Sequence, residues 1–497
     1  MKNFLILIVV FLFISFSSYA QIYVSPTGND SNTGTIDKPL KSISVALDKA
    51  YEDSTIYLRG GVYELSTTLK PPRSGSEGKL IKLWAYPGET PILDFSGETY
   101  SSSSRGFNLS RDYWYFKGLI IRNAGDNGIN ISGNHNIIEN CRLYGNKDTG
   151  LQISGGGGYN YVHNCDSYNN YDSQTHGENA DGFAPKLDIG PGNVFRGCRS
   201  WGNSDDGWDF YESQNEVVLD SCWSFANGFN IWGDSNYQGD GNGFKVGGNY
   251  IPTHHLLMNC VAFDNRGKGF DQNNNTAGVT ILNCTGIGNE NKNFSFPSVP
   301  TTGVDSLINN LSYNGANSNS IESKAVQVTN SWNGFTVTSN DFLSLDTSLA
   351  KISRNSDSSL SETSLFRLSS NSPLVNAGTD VGIAYVGSSP DIGAFESNVI
   401  SSIISNKNKL NSFELEQNYP NPFNPSTKIK FSLTKNDFAN LTVYNMLGQK
   451  ITTLVNQVFS SGEHEIIFNA KDLPSGMYFY KLKSGDLTIS KKMLLIK

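Results

Sequence analysis

The sequence predicts an all-β chain: a parallel β-helix with an N-terminal capping helix, followed by a small C-terminal β-sandwich. Three observations lead there. Two short landmarks recur in phase along residues 120–290, short apolar stretches between them are cut by Gly and Asn, and longer alternating strands replace this texture near the C-terminus. The composition agrees. Among 497 residues, 49 Gly against 17 Pro and 12% aromatics mean many turns and ample core. That excludes a helical bundle and wholesale disorder.

The chain opens with Lys2, an apolar run from Phe4 to Phe16, and Ser17-Ser18-Tyr19-Ala20. A charged start, an apolar core and a small-residue site read as a signal peptide over 1–20, with the mature chain starting near Gln21. The competing reading is an N-terminal membrane anchor, for which the apolar core is short. Within 22–70, a strand and a polar turn precede Ser42–Ala50, an amphipathic helix suited to covering the open end of a solenoid.

The first landmark is cysteine. Cys141, Cys165, Cys198, Cys222, Cys260 and Cys284 are spaced 24, 33, 24, 38 and 24 apart, each preceded by Asn, Ser or Gly. The second is Gly-apolar-x-apolar, as in Gly128-Ile129-Asn130-Ile131, Gly150-Leu151-Gln152-Ile153, Gly207-Trp208-Asp209-Phe210 and Gly243-Phe244-Lys245-Val246. A coil near 22–24 residues cannot bury its apolar face alone, whereas stacked coils can. The cysteines then form an inward ladder of small apolar side chains. Disulfides between adjacent rungs remain an open alternative.

Periodicity weakens over 300–397, ending in Asp391-Ile392-Gly393-Ala394-Phe395-Glu396, and 398–412 reads as a linker. The expected organisation is therefore signal peptide 1–20, β-helix 21–397, linker 398–412 and sandwich 413–497. The last segment carries 10 Lys, no Arg and 7 acids, or +3, so the remainder of a chain of net charge -8 carries -11. That balance argues against a nucleic-acid partner and favours cations; an acidic polymer then needs local bases or a bridging metal.

The repeat sets a register. In Gly-apolar-x-apolar the apolar residues point inward, so x points out, giving an outward column Asn130, Gln152, Ala184, Asp209, Lys245, Asp271. The residues before each Gly place Asp181 on Asp206, with Asp205 alongside. Four carboxylates and one amine thus converge from three successive coils. Two bare carboxylates about 4.8 Å apart repel by roughly 3–4 kcal/mol at an effective dielectric near 20, so the cluster calls for a cation. All-oxygen ligands favour Ca²⁺ over zinc. The bland reading of Asp-Asp-Gly-x-Asp is a turn, and that of Lys245 a solvated surface charge; the column match with Asp181 favours the site.

A cation close to Lys245 would lower its pKa, and a neutral amine can take a proton. Lys186 lies two residues beyond Ala184, either binding a substrate carboxylate or simply solvated. Two insertions, Asp166–Asp181 and Trp223–Asn242, flank this face and are expected to wall a groove. An acidic groove, Ca²⁺ and a lysine base together suit β-elimination on a polyuronate. A uronate carboxylate bridges to Ca²⁺, Lys245 removes the C5 proton, and the C4 oxygen leaves.

Residues 178–210, with Glu178-Asn179-Ala180-Asp181-Gly182-Phe183 and Ser204-Asp205-Asp206-Gly207-Trp208-Asp209-Phe210, and Gly241-Asn242-Gly243-Phe244-Lys245-Val246-Gly247-Gly248 resemble the family 9 polysaccharide lyases. These are Ca²⁺-dependent pectate lyases on a right-handed parallel β-helix. The resemblance spans about 22–395. It implies Asp181, Asp205, Asp206 and Asp209 as calcium ligands, Lys245 as the Brønsted base, and polygalacturonate or pectin as substrate. The tail, with Asn418-Tyr419-Pro420-Asn421-Pro422-Phe423-Asn424-Pro425 and Leu473-Pro474-Ser475-Gly476-Met477-Tyr478, resembles the C-terminal sorting domain of type IX secretion. That implies the secretion machinery as partner and a secreted or cell-surface location; a carbohydrate-binding sandwich is the alternative. A monomer is expected. The rival readings of the whole are a β-helix polygalacturonase using Asp205 and Asp206, and a non-catalytic surface adhesin.

Overall fold

The computed structural model describes residues 21–397, 413–433, 437–445, 449–460, 462–484 and 487–495. The expected signal peptide and linker lie outside them. Short strands with corners between them cannot pair with their chain neighbours, so each pairs with its equivalent one coil away. Three parallel sheets of twelve, ten and nine strands result. The first runs from Gln21–Val24 to Val326–Val328, the second from Gly61–Glu64 to Leu311–Tyr313, and the third from Phe107–Leu109 to Ser320–Ile321. The coil is a right-handed parallel β-helix, the hand that parallel crossovers adopt.

Both landmarks have a physical origin. The residue before each cysteine turns the corner from the first to the second sheet in the left-handed region: φ is 53° at Asn140, 53° at Asn164, 61° at Gly197, 57° at Ser221, 53° at Asn259 and 48° at Asn283. Asn and Gly tolerate that conformation best. The six cysteines are free and fully buried. They form the ladder, with Cys141 N–H donating to Cys165 Sγ at 3.4 Å and Cys260 N–H to Cys284 Sγ at 3.4 Å. The glycines answer to space rather than to φ. A Cβ on Gly182 would lie 2.0 Å from Ser200 Oγ, and one on Gly207 1.9 Å from Ser224 Oγ.

The sequence reading missed a second ladder. Side-chain amides of Asn146, Asn170, Asn203, Asn227, Asn265 and Asn289 hydrogen-bond in succession at 3.0, 2.8, 3.0, 2.9 and 3.0 Å along the corner between the second and third sheets. Inside the third sheet, Phe183, Trp208, Phe244, Phe270 and Phe294 stack with centroids 4.8, 4.9, 5.0 and 4.8 Å apart. These stacked inward rings set the register of the outward residues beside them.

The capping helix spans Ile43–Lys49 and buries Ile43, Ala46 and Leu47 over the first coil; Ser42 and Ala50 are its caps. Residues beyond Val328 leave the coil. They lay Phe342, Leu365, Phe366 and Leu368 over Trp223, Phe225, Val261 and Phe263 on the outside of the second sheet. The C-terminal unit is an antiparallel sandwich. A three-stranded sheet (Glu414–Leu415, Ser426–Leu433, Gly462–Asn469) and a four-stranded sheet (Lys450–Phe459, Asp437–Asn445, Gly476–Ser484, Leu487–Leu495) share one core.

Candidate active site

The site sits on the outer face of the third sheet, at the strands Phe183–Pro185, Trp208–Asp209 and Phe244–Lys245. Phe183 pairs with Trp208 and Trp208 with Phe244, so Asp209 faces Lys245 one rung on, and Lys245 in turn pairs with Asp271. Asp181 and Asp206 hold equivalent positions two residues ahead of Phe183 and Trp208, and Asp206 N–H donates to Asp181 Oδ1 at 3.1 Å.

Oxygens of Asp181, Asp205 and Asp206 lie within 4.8 Å of one another, and all three residues are buried. Backbone N–H groups aim them. Asp205 accepts from Asn179 N–H at 3.1 Å and Asp240 N–H at 2.6 Å. Asp206 Oδ1 accepts from Asn242 N–H at 2.6 Å and from its side-chain amide at 3.0 Å. Asp206 Oδ2 is buried without a hydrogen-bond partner. Lys245 Nζ is 3.1 Å away from it, close enough for charge attraction but outside hydrogen-bonding geometry.

Asp209 joins the cluster differently. Its oxygens face two amines, Lys186 Nζ at 3.2 Å and Lys245 Nζ at 3.7 Å. Lys186, read from sequence as an outward group for a substrate carboxylate, is turned inward. Its amine lies 2.8 Å from Asp181 Oδ2 and its side chain is only 11% exposed. The strand ends at Pro185, and Leu187, with φ of 67°, donates its N–H to Tyr211 C=O on the next coil at 2.7 Å. Two groups went unassigned from sequence: Asp240, 3.8 Å from Lys245 Nζ, and Thr149, whose hydroxyl donates to Asp181 Oδ2 at 3.3 Å.

Electrostatics follow burial. Burial pushes Asp181 up to about 8 and Asp206 up to about 6, and raises Asp205 well above the carboxylate range, with neighbouring carboxylates adding to it. Burial acts the same way on Asp209, but Lys245 and Lys186 outweigh it and hold its carboxyl low. For Lys245 burial favours the neutral amine. The charges of Asp206, Asp209, Asp205 and Asp181 overcome it and raise the pKa. Ionising all four carboxylates against the two ammoniums would leave a formal charge of -2, which one divalent ion would balance. The all-oxygen donor set, the unpaired Asp206 oxygen and that charge fit a hard divalent cation such as Ca²⁺.

The two insertions wall the site, though each starts later than the sequence suggested. Asp166–Tyr168 and Trp223–Phe225 are still rungs of the second sheet, so the loops begin at Asn169 and Ala226. They clasp each other, Tyr171 stacking on Trp232 at 4.6 Å and donating to Asp234 at 2.7 Å. The longer loop closes its neck where Gly228 and Gly241 cross: a Cβ on Gly228 would lie 2.3 Å from Gly241 Cα.

A family model described as the Pel9A-like, right-handed β-helix region matches residues 22–340, and one for the secretion-system C-terminal sorting domain matches 417–497. Pectate lyase L of Dickeya chrysanthemi is 44% identical over 388 residues, covering 76% of this chain and 90% of that protein. Pectate lyase L of Paenibacillus polymyxa is 38% identical over 386 residues, covering 73% and 84%. The crystal structure of pectate lyase Pel9A matches with a TM-score of 0.73 and 43% identity, over 77% of this chain and 98% of that one. A rhamnogalacturonan lyase matches at 0.64 and 27%, over 71% and 97%.

Proposed function

The chain belongs to the Pel9A-like right-handed β-helix family and is a polysaccharide lyase with a type IX sorting domain, and from that premise we propose that it is an exported, monomeric, calcium-dependent pectate lyase. Residues 21–397 form the catalytic unit. The leader 1–20 and the sorting unit 413–497, joined by 398–412, direct export across both membranes.

Asp181, Asp205 and Asp206 would hold the calcium, with Asp209 completing the set as its amines give way. Bound there, calcium would supply positive charge that draws in a galacturonate carboxylate and acidifies the C5 proton. Lys245 Nζ takes that proton. The C5–H electrons form the C4–C5 double bond, the C4–O bond breaks, and water protonates the departing oxygen. The observation that carries this reading is the Lys245 amine within two rungs of three converging carboxylates, one oxygen of which lacks a hydrogen bond. The carboxylates raise the Lys245 pKa while burial lowers it; with a divalent ion held by those carboxylates their field would be cancelled, and burial would favour the free amine. Activity should accordingly favour alkaline pH.

The hydrolase reading needs Asp205 and Asp206 to reach the substrate as acid and base, yet both are buried and each accepts two hydrogen bonds that hold it within the cluster. Ultraviolet absorbance of a polygalacturonate digest, with and without chelator, tests the proposal. Elimination creates a chromophore that chelation abolishes. A digest that shortens the polymer without one would replace lyase chemistry with hydrolysis.

A further inference from the structure

A groove of about 730 Å³ lies on another face of the coil, where the first sheet meets the second. Its first flank comes from register. Tyr57 pairs with Trp84 and Trp84 with Lys117 on successive rungs, all pointing outward. The two rings meet edge-on at 6.3 Å, and Lys117 Nζ sits 5.8 Å from the Trp84 ring. The other flank is the outer column of the second sheet, where Tyr168 and Trp201 stack at 4.4 Å. The segment after Val328 covers that column at Phe225 and Phe263; Tyr168 and Trp201 are half-buried at its margin, stacked between Tyr144 and Phe225, so that they present ring edges to the groove.

The charge of the groove opposes that of the molecule. It is lined by Lys117, Arg142, Arg199, Lys351 and Arg354 against Glu89 and Asp166, five bases to two acids or +3, on a chain of net charge -8. Both acids are already paired, Asp166 with Arg199 at 2.8 Å and Arg354 at 2.7 Å and Glu89 with Arg59 at 2.7 Å, as is Lys117 with Glu139 at 3.1 Å. Arg142 and Lys351 are exposed and have no carboxylate within 4.0 Å among the described residues. Aromatic faces receive the C–H faces of sugars, and unpaired cations receive carboxylates. Neither the metal cluster nor Lys245 takes part.

We propose that this groove is a second, non-catalytic binding site for an acidic polysaccharide, seating a sugar ring against Trp84 and uronate carboxylates on Arg142 and Lys351. It extends the pectate reading by holding the polymer on a face remote from cleavage. The test uses the full chain carrying Lys245→Ala, in chelator, so that the catalytic site neither cuts nor holds calcium. Electrophoresis through gels containing polygalacturonate, or a neutral galactan, measures binding. Polygalacturonate should retard this protein, the galactan should not, and Trp84→Ala or Arg142→Glu added to it should weaken retardation about tenfold. Arg142 is exposed, so its variant should keep the parent's melting curve. No retardation of the parent, equal retardation by galactan, or unchanged binding in both variants would overturn the proposal. Failure of the pectate reading itself is seen separately, as a wild-type digest without a chromophore.

Discussion

Asp209 and Lys245 are register partners on adjacent rungs, and Lys245 Nζ lies 3.7 Å from Asp209 Oδ1. This pair joins the acid cluster to the proposed base. Asp209 also meets the second amine, Lys186, so it lies between the two positive charges of the site. The arrangement is set by the rings behind it: Phe183, Trp208 and Phe244 stack inward, and the residues next to them are thereby stacked outward.

Asp206→Asn is expected to remove calcium binding. Its Oδ2 is the buried oxygen with no hydrogen-bond partner, and a ligand that binds only the folded state raises its stability by about 2.7 kcal/mol at a hundredfold excess over Kd. Calorimetric melting should show a calcium-dependent rise in Tm for the wild type and none for this variant. A full rise in the variant would place the ion elsewhere.

Lys186→Met should deepen the dependence on calcium. Its ammonium, 2.8 Å from Asp181 and 3.2 Å from Asp209, offsets one negative charge in a buried cluster. Breaking a buried pair by removing one partner typically costs about 3–5 kcal/mol. The variant should melt lower in chelator and show a larger calcium-induced gain than the wild type. Equal gains would mean that Lys186 does not balance the cluster.

Glu396 predicts part of the pH dependence of stability. Burial, with Asp391 adding, raises its pKa from 4.5 to about 7. The folded state therefore holds a proton that the unfolded state releases, so the contribution is fully present below about 4.5 and is lost as pH rises through about 7. The whole effect is about 3 kcal/mol at 1.36 kcal/mol per unit. Glu396→Gln should flatten the fall of Tm across this window; an unchanged slope would assign it to other groups.

Much of this was legible because the β-helix repeats itself. Gly182, Gly207 and Gly243 mark equivalent points on three coils, and counting from them places Asp181 over Asp206 and Asp209 beside Lys245. What the count could not give was the path of the chain off the rungs. Lys186 follows the last residue of its strand, so alternation no longer governs its direction. Asp240 arrives from a loop whose neck depends on two crossing glycines, 228 and 241. The asparagine ladder was visible as an Asn four residues ahead of Gly150, Gly207 and Gly269, yet it reads as turn chemistry until the coils are stacked. The residues before each cysteine form a pattern in the sequence; their left-handed φ gives the reason.

The most direct test of the central claim compares wild type with Lys245→Ala on polygalacturonate in calcium, following ultraviolet absorbance while recording the calcium-induced change in Tm for each. Loss of a positioned base should lower turnover by about 10²–10⁴-fold while the Tm response to calcium persists. A variant that generates the chromophore at the wild-type rate would show that Lys245 is not the base.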